Sequence, residues 1–78
     1  MSKRKKVDLG FLEKRWPSPL VARTEFHKFT GGTVGNRTIA NLDNIGEGPA
    51  NRMRIGRKVV YPVIDVIKWL ESRAEVLD

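Results

Sequence analysis

Residues 52–61 have the sequence RMRIGRKVVY, which predicts a β-hairpin. Glycine at the first central position of a two-residue loop permits a type II′ turn, so we expect the chain to reverse at Gly56-Arg57. In that register Met53 lies opposite Val60 across the two strands. The residues that then share one apolar face are Met53, Ile55 and Val60.

Positive charge is concentrated at the tip of this hairpin. Arg57 lies in the turn, Lys58 follows it, and Arg52 and Arg54 precede it. A narrow cationic hairpin can lie along the DNA backbone or in the minor groove, where the negative potential favours arginine. Charges of this kind also protect an exposed edge strand from aggregation. We favour DNA contact, which makes Arg54, Arg57 and Lys58 candidate DNA-binding residues.

The residues after the hairpin have the strongest helical pattern in the chain. Pro62 fits the first turn of a helix, where its missing N–H costs nothing. Trp69 is expected at the edge of the apolar face of this helix. The apolar residues recur at i, i+3, i+4, i+7 and i+11, and they are Val63, Val66, Ile67, Leu70 and Ala74. We expect this final helix to supply much of the core.

Two shorter helices are predicted before the hairpin. The first spans about 22–30, follows an extended segment at 16–19, and has an apolar stripe of Ala22, Phe26 and Phe29. The second spans 36–45 and ends before the Gly46-Glu47-Gly48-Pro49 sequence. Its expected inner side consists of Ile39, Leu42 and Ile45.

The opposite side of helix 36–45 is polar. Arginine can bind the O6 and N7 atoms of guanine, and asparagine can pair with N6 and N7 of adenine, so Arg37 and Asn41 are candidates for reading bases. The candidates for phosphate or secondary base contacts are Asn36, Thr38 and Asn44. The alternative is the hydrated side of an ordinary surface helix. Asparagine has a low helix propensity, so contact with DNA explains the three asparagines of this helix better.

The order helix, helix, two-stranded wing, helix predicts an α+β fold of the small winged helix-turn-helix type. We assign residues 16–75 to this domain and residues 1–15 to a basic, flexible N-terminal arm. The Lys3-Arg4-Lys5-Lys6 tetrad in the arm fits a DNA contact, a solvated tail or a nuclear localisation signal equally well.

Composition excludes several functional classes. The 78 residues allow one small domain, and the absence of cysteine excludes disulfides, thiolate zinc sites and a cysteine nucleophile. His27 is the only histidine and is expected to be exposed, and the carboxylates are expected on solvent faces without partners. We therefore expect no enzyme, catalytic residue, metal, cofactor or small-molecule substrate. No apolar segment predicts a signal peptide or membrane contact, so we expect a cytoplasmic, nucleoid-associated protein.

The net charge of +6 is unevenly distributed. Residues 1–60 contain 13 Lys and Arg against 5 Asp and Glu, whereas residues 61–78 contain 2 against 4. Cationic faces on small basic domains bind phosphate backbones through counterion release. This pattern favours nucleic acid as the partner, although a merely solubilising surface is the simpler alternative.

Residues 20–73 resemble the small winged-helix proteins of phages and mobile elements, namely the excisionases and AlpA-type prophage regulators, which are related in fold to MerR-like DNA-binding domains. The matching pieces are Thr30-Gly31 after the first helix, Arg37-Thr38-Ile39, Gly46-Glu47-Gly48-Pro49, the Arg54-to-Tyr61 wing and Trp69-Leu70-Glu71. One difference is the longer link at 31–35, where family members often have a tight turn.

The resemblance implies sequence-specific binding to double-stranded DNA, with helix 36–45 in the major groove and wing 52–61 on the adjacent backbone or minor groove. We expect an excisionase, that is, a recombination directionality factor, or a small transcriptional regulator. An integrase and neighbouring copies of the chain on DNA are the further partners that it suggests. The alternative is a protein-interaction adaptor that uses the acidic final helix and the edge of Trp69, with only non-specific DNA contact.

Overall fold

The computed structural model describes residues 7–77. The Lys3-to-Lys6 tetrad of the predicted arm lies outside the described residues. The helices are α1 (Leu12–Arg15), α2 (Phe26–Phe29), α3 (Asn36–Asn44) and α4 (Val63–Arg73), with a 3-10 turn at Arg23–Glu25. The strands are β1 (Leu20–Ala22), β2 (Met53–Ile55) and β3 (Lys58–Pro62). The described chain is thus a small α+β fold.

The three strands form an antiparallel sheet in the order β1-β3-β2. The predicted hairpin is confirmed, since Met53 pairs with Val60 and Ile55 with Lys58. This register leaves Gly56 and Arg57 as the turn. Gly56 has a φ of 63°, whereas Arg57 is not among the residues with positive φ, as a type II′ turn requires.

Strand β1 replaces the predicted start of the first helix. Leu20 pairs with Pro62 and Ala22 with Val60, so the free edge of β3 holds this segment extended. The helix predicted at 22–30 is therefore wrong in its first turn and is reduced to the 3-10 turn and the short α2. Pairing with β3 satisfies the backbone of residues 20–22, which explains why the local helical pattern does not prevail there.

The core lies between one face of this sheet and the helices. Val21 and Tyr61 pair across β1 and β3, and both are completely buried. Phe26 packs edge-on against Tyr61, with ring centres 5.4 Å apart. Helix α4 buries Val63, Val66 and Ile67, as its periodicity predicted, and it also buries Trp69, whereas Leu70 and Ala74 of the predicted stripe are half-buried.

Helix α3 matches its predicted span to within one residue, but its inner side differs. Ile39 is completely buried and Leu42 is half-buried against the core, as expected. Ile45 is 66% exposed, so its predicted core position is wrong. The helix ends at Asn44, so Ile45 is the C-cap residue and is not part of the helical face that packs on the core. Asp43, one turn after Ile39, is buried on the inner side instead.

Part of the segment before β1 packs against the rest of the domain. Leu9 and Leu12 pack against the core, and the Leu9 amide donates a 2.7 Å hydrogen bond to Glu71 Oε2 on α4. Apolar packing and this bond thus attach Leu9 and Leu12, which lie within the predicted arm over 1–15, to the domain. Across residues 7–77, the helices are too short and too polar to cross a membrane.

The two isoleucines of this region form a matched pair for testing the packing of α3. Replacing Ile39 by alanine should lower the free energy of unfolding by about 2–5 kcal/mol, because it removes buried methyl groups and leaves a cavity. Ile45→Ala should change it by less than about 0.5 kcal/mol. Urea denaturation measures both, and the milder Ile39→Val serves if Ile39→Ala does not fold. Equal losses at the two positions would contradict this packing.

Candidate functional site

Helix α3 presents the polar residues that the sequence singled out. All five predicted candidates on this helix are exposed, and they are Asn36, Arg37, Thr38, Asn41 and Asn44. Burial of Ile39 and Asp43 on the other side fixes which side of the helix faces solvent. Exposed amide and guanidinium groups on one short helix can donate to and accept from a hydrogen-bonding partner.

Asn36 has a structural role that the sequence did not reveal. Its Oδ1 accepts a 3.2 Å hydrogen bond from the His27 amide, and its Nδ2 donates a 3.1 Å bond to the Thr24 carbonyl. These bonds tie the start of α3 to the helical segment before it. His27 itself is exposed, as expected. Asn36 is therefore the candidate whose side chain is already engaged within the protein.

Asp43 is the buried polar centre next to this helix face, which corrects the prediction of solvent-exposed carboxylates. Its side chain is 1% exposed. Asp43 Oδ2 accepts hydrogen bonds from Tyr61 Oη at 2.5 Å and from Arg23 Nη2 at 2.7 Å. Arg23 Nε also donates to Tyr61 Oη at 3.1 Å, which closes a triangle of three side chains. The triangle joins α3 to β3 and to the 3-10 turn.

The triangle with Asp43 determines the protonation states of Tyr61 and Arg23. Burial away from water, reinforced by the hydrogen bond to Asp43, raises the pKa of Tyr61 to about 12. The hydrogen bond to Tyr61 and the neighbouring Asp43 raise the pKa of Arg23 above its ordinary value. The tyrosine thus keeps its proton as a donor to Asp43, and the arginine stays charged.

The loop between α3 and β2 is bound to the same centre. Arg52 Nη1 donates a 2.6 Å hydrogen bond to the Asp43 carbonyl, and it lies 3.6 Å from Asp43 Oδ1. Gly48 packs so closely against Asp43 that a Cβ there would overlap Oδ1. The Trp69 indole donates a 2.8 Å hydrogen bond to the Glu47 carbonyl. These contacts hold the hairpin and α3 in a fixed relation.

The arginine groove lies between α3 and the hairpin. It is a cleft of about 310 Å³ whose lining residues are Arg23, Asn44, Arg52, Met53, Arg54 and Val59. The groove brings together two predicted candidates, Asn44 and Arg54, from separate elements. Arg57 and Lys58 are exposed at the hairpin turn and do not line it.

Two arginines of the groove, Arg23 and Arg52, were missing from the predicted site. Arg52 had a sequence signal, since it stands beside Arg54 in a basic run. Arg23 had none, because its place in the groove arises from β1 turning directly into the 3-10 turn. Only the folded chain brings Arg23 near Asp43, which is 20 positions later.

Trp69 bears on the adaptor hypothesis, which needed an accessible edge of this residue. Trp69 is only 8% exposed, and Arg73 covers its ring at 4.9 Å. The ring also packs edge-on against Phe26, with centres 5.8 Å apart. Trp69 is therefore buried, and its side chain offers little surface to a partner.

Comparison with family models, curated proteins and solved structures finds no match for this chain. Within residues 7–77, no three His, Asp or Glu side chains are grouped so that they could hold a metal ion.

The single tyrosine of the chain gives a direct test of the buried triangle. Tyrosinate absorbance in the native protein should appear with a midpoint near pH 12, against about pH 10 in the denatured chain. The folded state holds the Tyr61 proton more tightly than the denatured chain does. The contribution of this group to the free energy of unfolding is therefore fully present below pH 10 and is lost as the pH rises towards 12. The loss should be on the order of 2 kcal/mol.

The control for this titration is Tyr61→Phe, which keeps the ring but cannot ionise. It should lack this component of alkaline destabilisation. A tyrosinate midpoint near pH 10 in the native protein would contradict the buried, hydrogen-bonded hydroxyl.

Gly48 tests the close packing around Asp43. Gly48→Ala should lower the free energy of unfolding by about 1–3 kcal/mol, because the added methyl group must displace a carboxylate already fixed by Arg23 and Tyr61. Gly10→Ala is the matched control, since its Cβ would meet only the exposed Asp8 side chain. Thermal or urea denaturation measures both, and the packing is refuted if the two variants are equally stable.

Proposed function

We propose that this chain is a sequence-specific, double-stranded-DNA-binding protein with a winged helix-turn-helix architecture, of phage or mobile-element type. The observation that carries the proposal is the exposed polar side of α3 beside a cationic hairpin, both fixed to Asp43. In this proposal α2 and α3 form the helix-turn-helix, and β2 and β3 form the wing.

Helix α3 would enter the major groove. Its nine residues span about 14 Å, and the major groove of B-DNA is wide enough to admit an α-helix. Arg37 and Asn41 are one turn apart on the exposed side and would contact base edges, guanine and adenine respectively. Thr38 and Asn44 would bind phosphate or secondary base positions. Asn36 already makes two hydrogen bonds within the protein, and it would bind DNA through the donor and acceptor positions that these bonds leave free.

The wing would bind beside α3 on the backbone or in the adjacent minor groove. Arg57 and Lys58 are exposed at its turn, and Arg54 is exposed on β2. Their positive charges would release counterions from the duplex and so strengthen binding to any sequence. Base specificity would therefore come from α3 and general affinity from the wing.

We propose two roles for such a protein, an excisionase or a small transcriptional regulator. An excisionase would bind DNA in several copies and shape it for an integrase, which makes the integrase and neighbouring copies the proposed partners. Binding to chromosomal DNA would make the protein cytoplasmic and nucleoid-associated. The fold supports both roles equally, since either needs one module that binds duplex DNA.

The experiment that tests the proposal begins with selection of binding sites from randomised duplexes at near-physiological salt. Arg37→Ala should then weaken binding to the selected site by roughly 1–3 kcal/mol and relax the preference at one base pair. Lys58→Ala should weaken all sequences similarly and reduce the salt slope by about 1. Lys68→Ala, a charge change on α4, is the matched control and should alter neither.

Fluorescence anisotropy with the selected and a scrambled duplex measures these effects. If Arg37→Ala weakens both duplexes equally, the base-reading role of Arg37 is wrong. If selection enriches no sequence, specific recognition by α3 is wrong.

A further inference from the structure

The arginine groove holds more positive charge than is needed to neutralise the buried Asp43 carboxylate. Arg23, Arg52 and Arg54 line it, and Asp43 is the carboxylate that contacts the first two. Three guanidinium groups around one carboxylate leave an excess of two positive charges. A single ion pair between Arg23 and Asp43 already neutralises the buried charge, so the other two arginines are not needed for that purpose.

The three arginines differ in how firmly they are held. Arg23 is 29% exposed and is bound by both Asp43 and Tyr61, so it acts as a fixed charge. Arg52 is 51% exposed and uses one short hydrogen bond, to the Asp43 carbonyl. Its 3.6 Å approach to Asp43 Oδ1 is too long for a hydrogen bond. A guanidinium has five N–H donors, so most of those on Arg52 stay available.

Arg54 and Asn44 line the groove from two different elements, β2 and α3. Arg54 is exposed on β2, and no hydrogen bond or ion pair within residues 7–77 engages its guanidinium. Asn44 is exposed in the last turn of α3 and can donate through its amide. The groove thus has exposed N–H donors from both α3 and β2, together with the fixed positive charge of Arg23.

We propose that the arginine groove binds one phosphate group, which is a phosphodiester of the DNA strand that passes between α3 and the wing. Arg52 and Arg54 would donate to its oxygens, because arginine forks bind phosphate through paired N–H bonds. Asn44 would add a neutral donor, and Arg23 would contribute charge without leaving Asp43. This inference rests on the proposed function and adds Arg23 and Arg52 to the binding surface.

The mechanistic consequence concerns the position of α3 on the duplex. A contact to a phosphate carries no sequence information, but it sets the register of the helix that reads bases. Arg52 is anchored to the backbone of Asp43 inside α3, so a phosphate held by Arg52 is positioned relative to that helix. The same duplex would then be held at one backbone position and read at Arg37 and Asn41.

The test measures how duplex affinity depends on salt. Arg52→Gln and, separately, Arg54→Gln should each reduce the slope of log K against log salt, and the double variant should reduce it by no more than about 0.9, because both arginines contact one phosphate. Lys68→Gln removes the same charge from α4 and should leave the slope unchanged. Arg52→Lys keeps the charge and should keep most of the slope. Because no hydrogen bond or ion pair in the described part of the chain engages Arg54, its variant stays informative if Arg52→Gln is unstable.

The proposal is overturned if the wild-type chain binds duplex DNA and both glutamine variants keep the wild-type slope. In that case DNA binding itself would stand. If the wild-type chain does not bind duplex DNA, the proposed function fails, and NMR titration of the arginine Nε–H signals with inorganic phosphate decides about the groove. A saturable shift of Arg52 that Arg54→Gln weakens would support a phosphate site for the free ion. The absence of a shift would overturn the site.

Discussion

The hydrogen bonds to the Asp43 carboxylate connect α3 to the central strand β3 and to the 3-10 turn after β1. Tyr61 comes from the central strand and Arg23 from the turn after β1, and both bind Oδ2. A buried carboxylate left without such partners would be strongly unfavourable. The orientation of α3 is therefore tied to the sheet by a directional contact, and Arg52 extends the contact to the segment that begins the hairpin.

This dependence explains how a helix of poor intrinsic propensity stays ordered. Helix α3 contains Asn36, Asn41 and Asn44 in nine residues, and asparagine is among the weaker helix formers. Ile39 and Asp43 hold it from the inside, and the Asn36 amide holds its first turn. The exposed side is then free to carry polar groups that suit a ligand better than they suit a helix. The proposed DNA-binding role makes use of this separation.

The sequence predicts the regular parts of the fold because their signals are local. The alternation around Gly56 gives the hairpin and its register, and the period of apolar residues gives α3 and α4. The three-residue strand β1 escapes notice because it is too short to show an alternation, and its stability comes from pairing with β3. Asp43 escapes notice because its partners are 18 and 20 positions away. The arginine groove depends on both of these features.

The claim that α3 and the hairpin form one surface for duplex DNA is tested most directly by NMR mapping of the bound protein. Backbone amide and arginine side-chain signals would be followed while a duplex containing the selected site is added. We expect the largest shifts to fall in residues 36–44 and 52–58 together, with α4 nearly unaffected. Shifts concentrated in α4, or in the hairpin without α3, would contradict it.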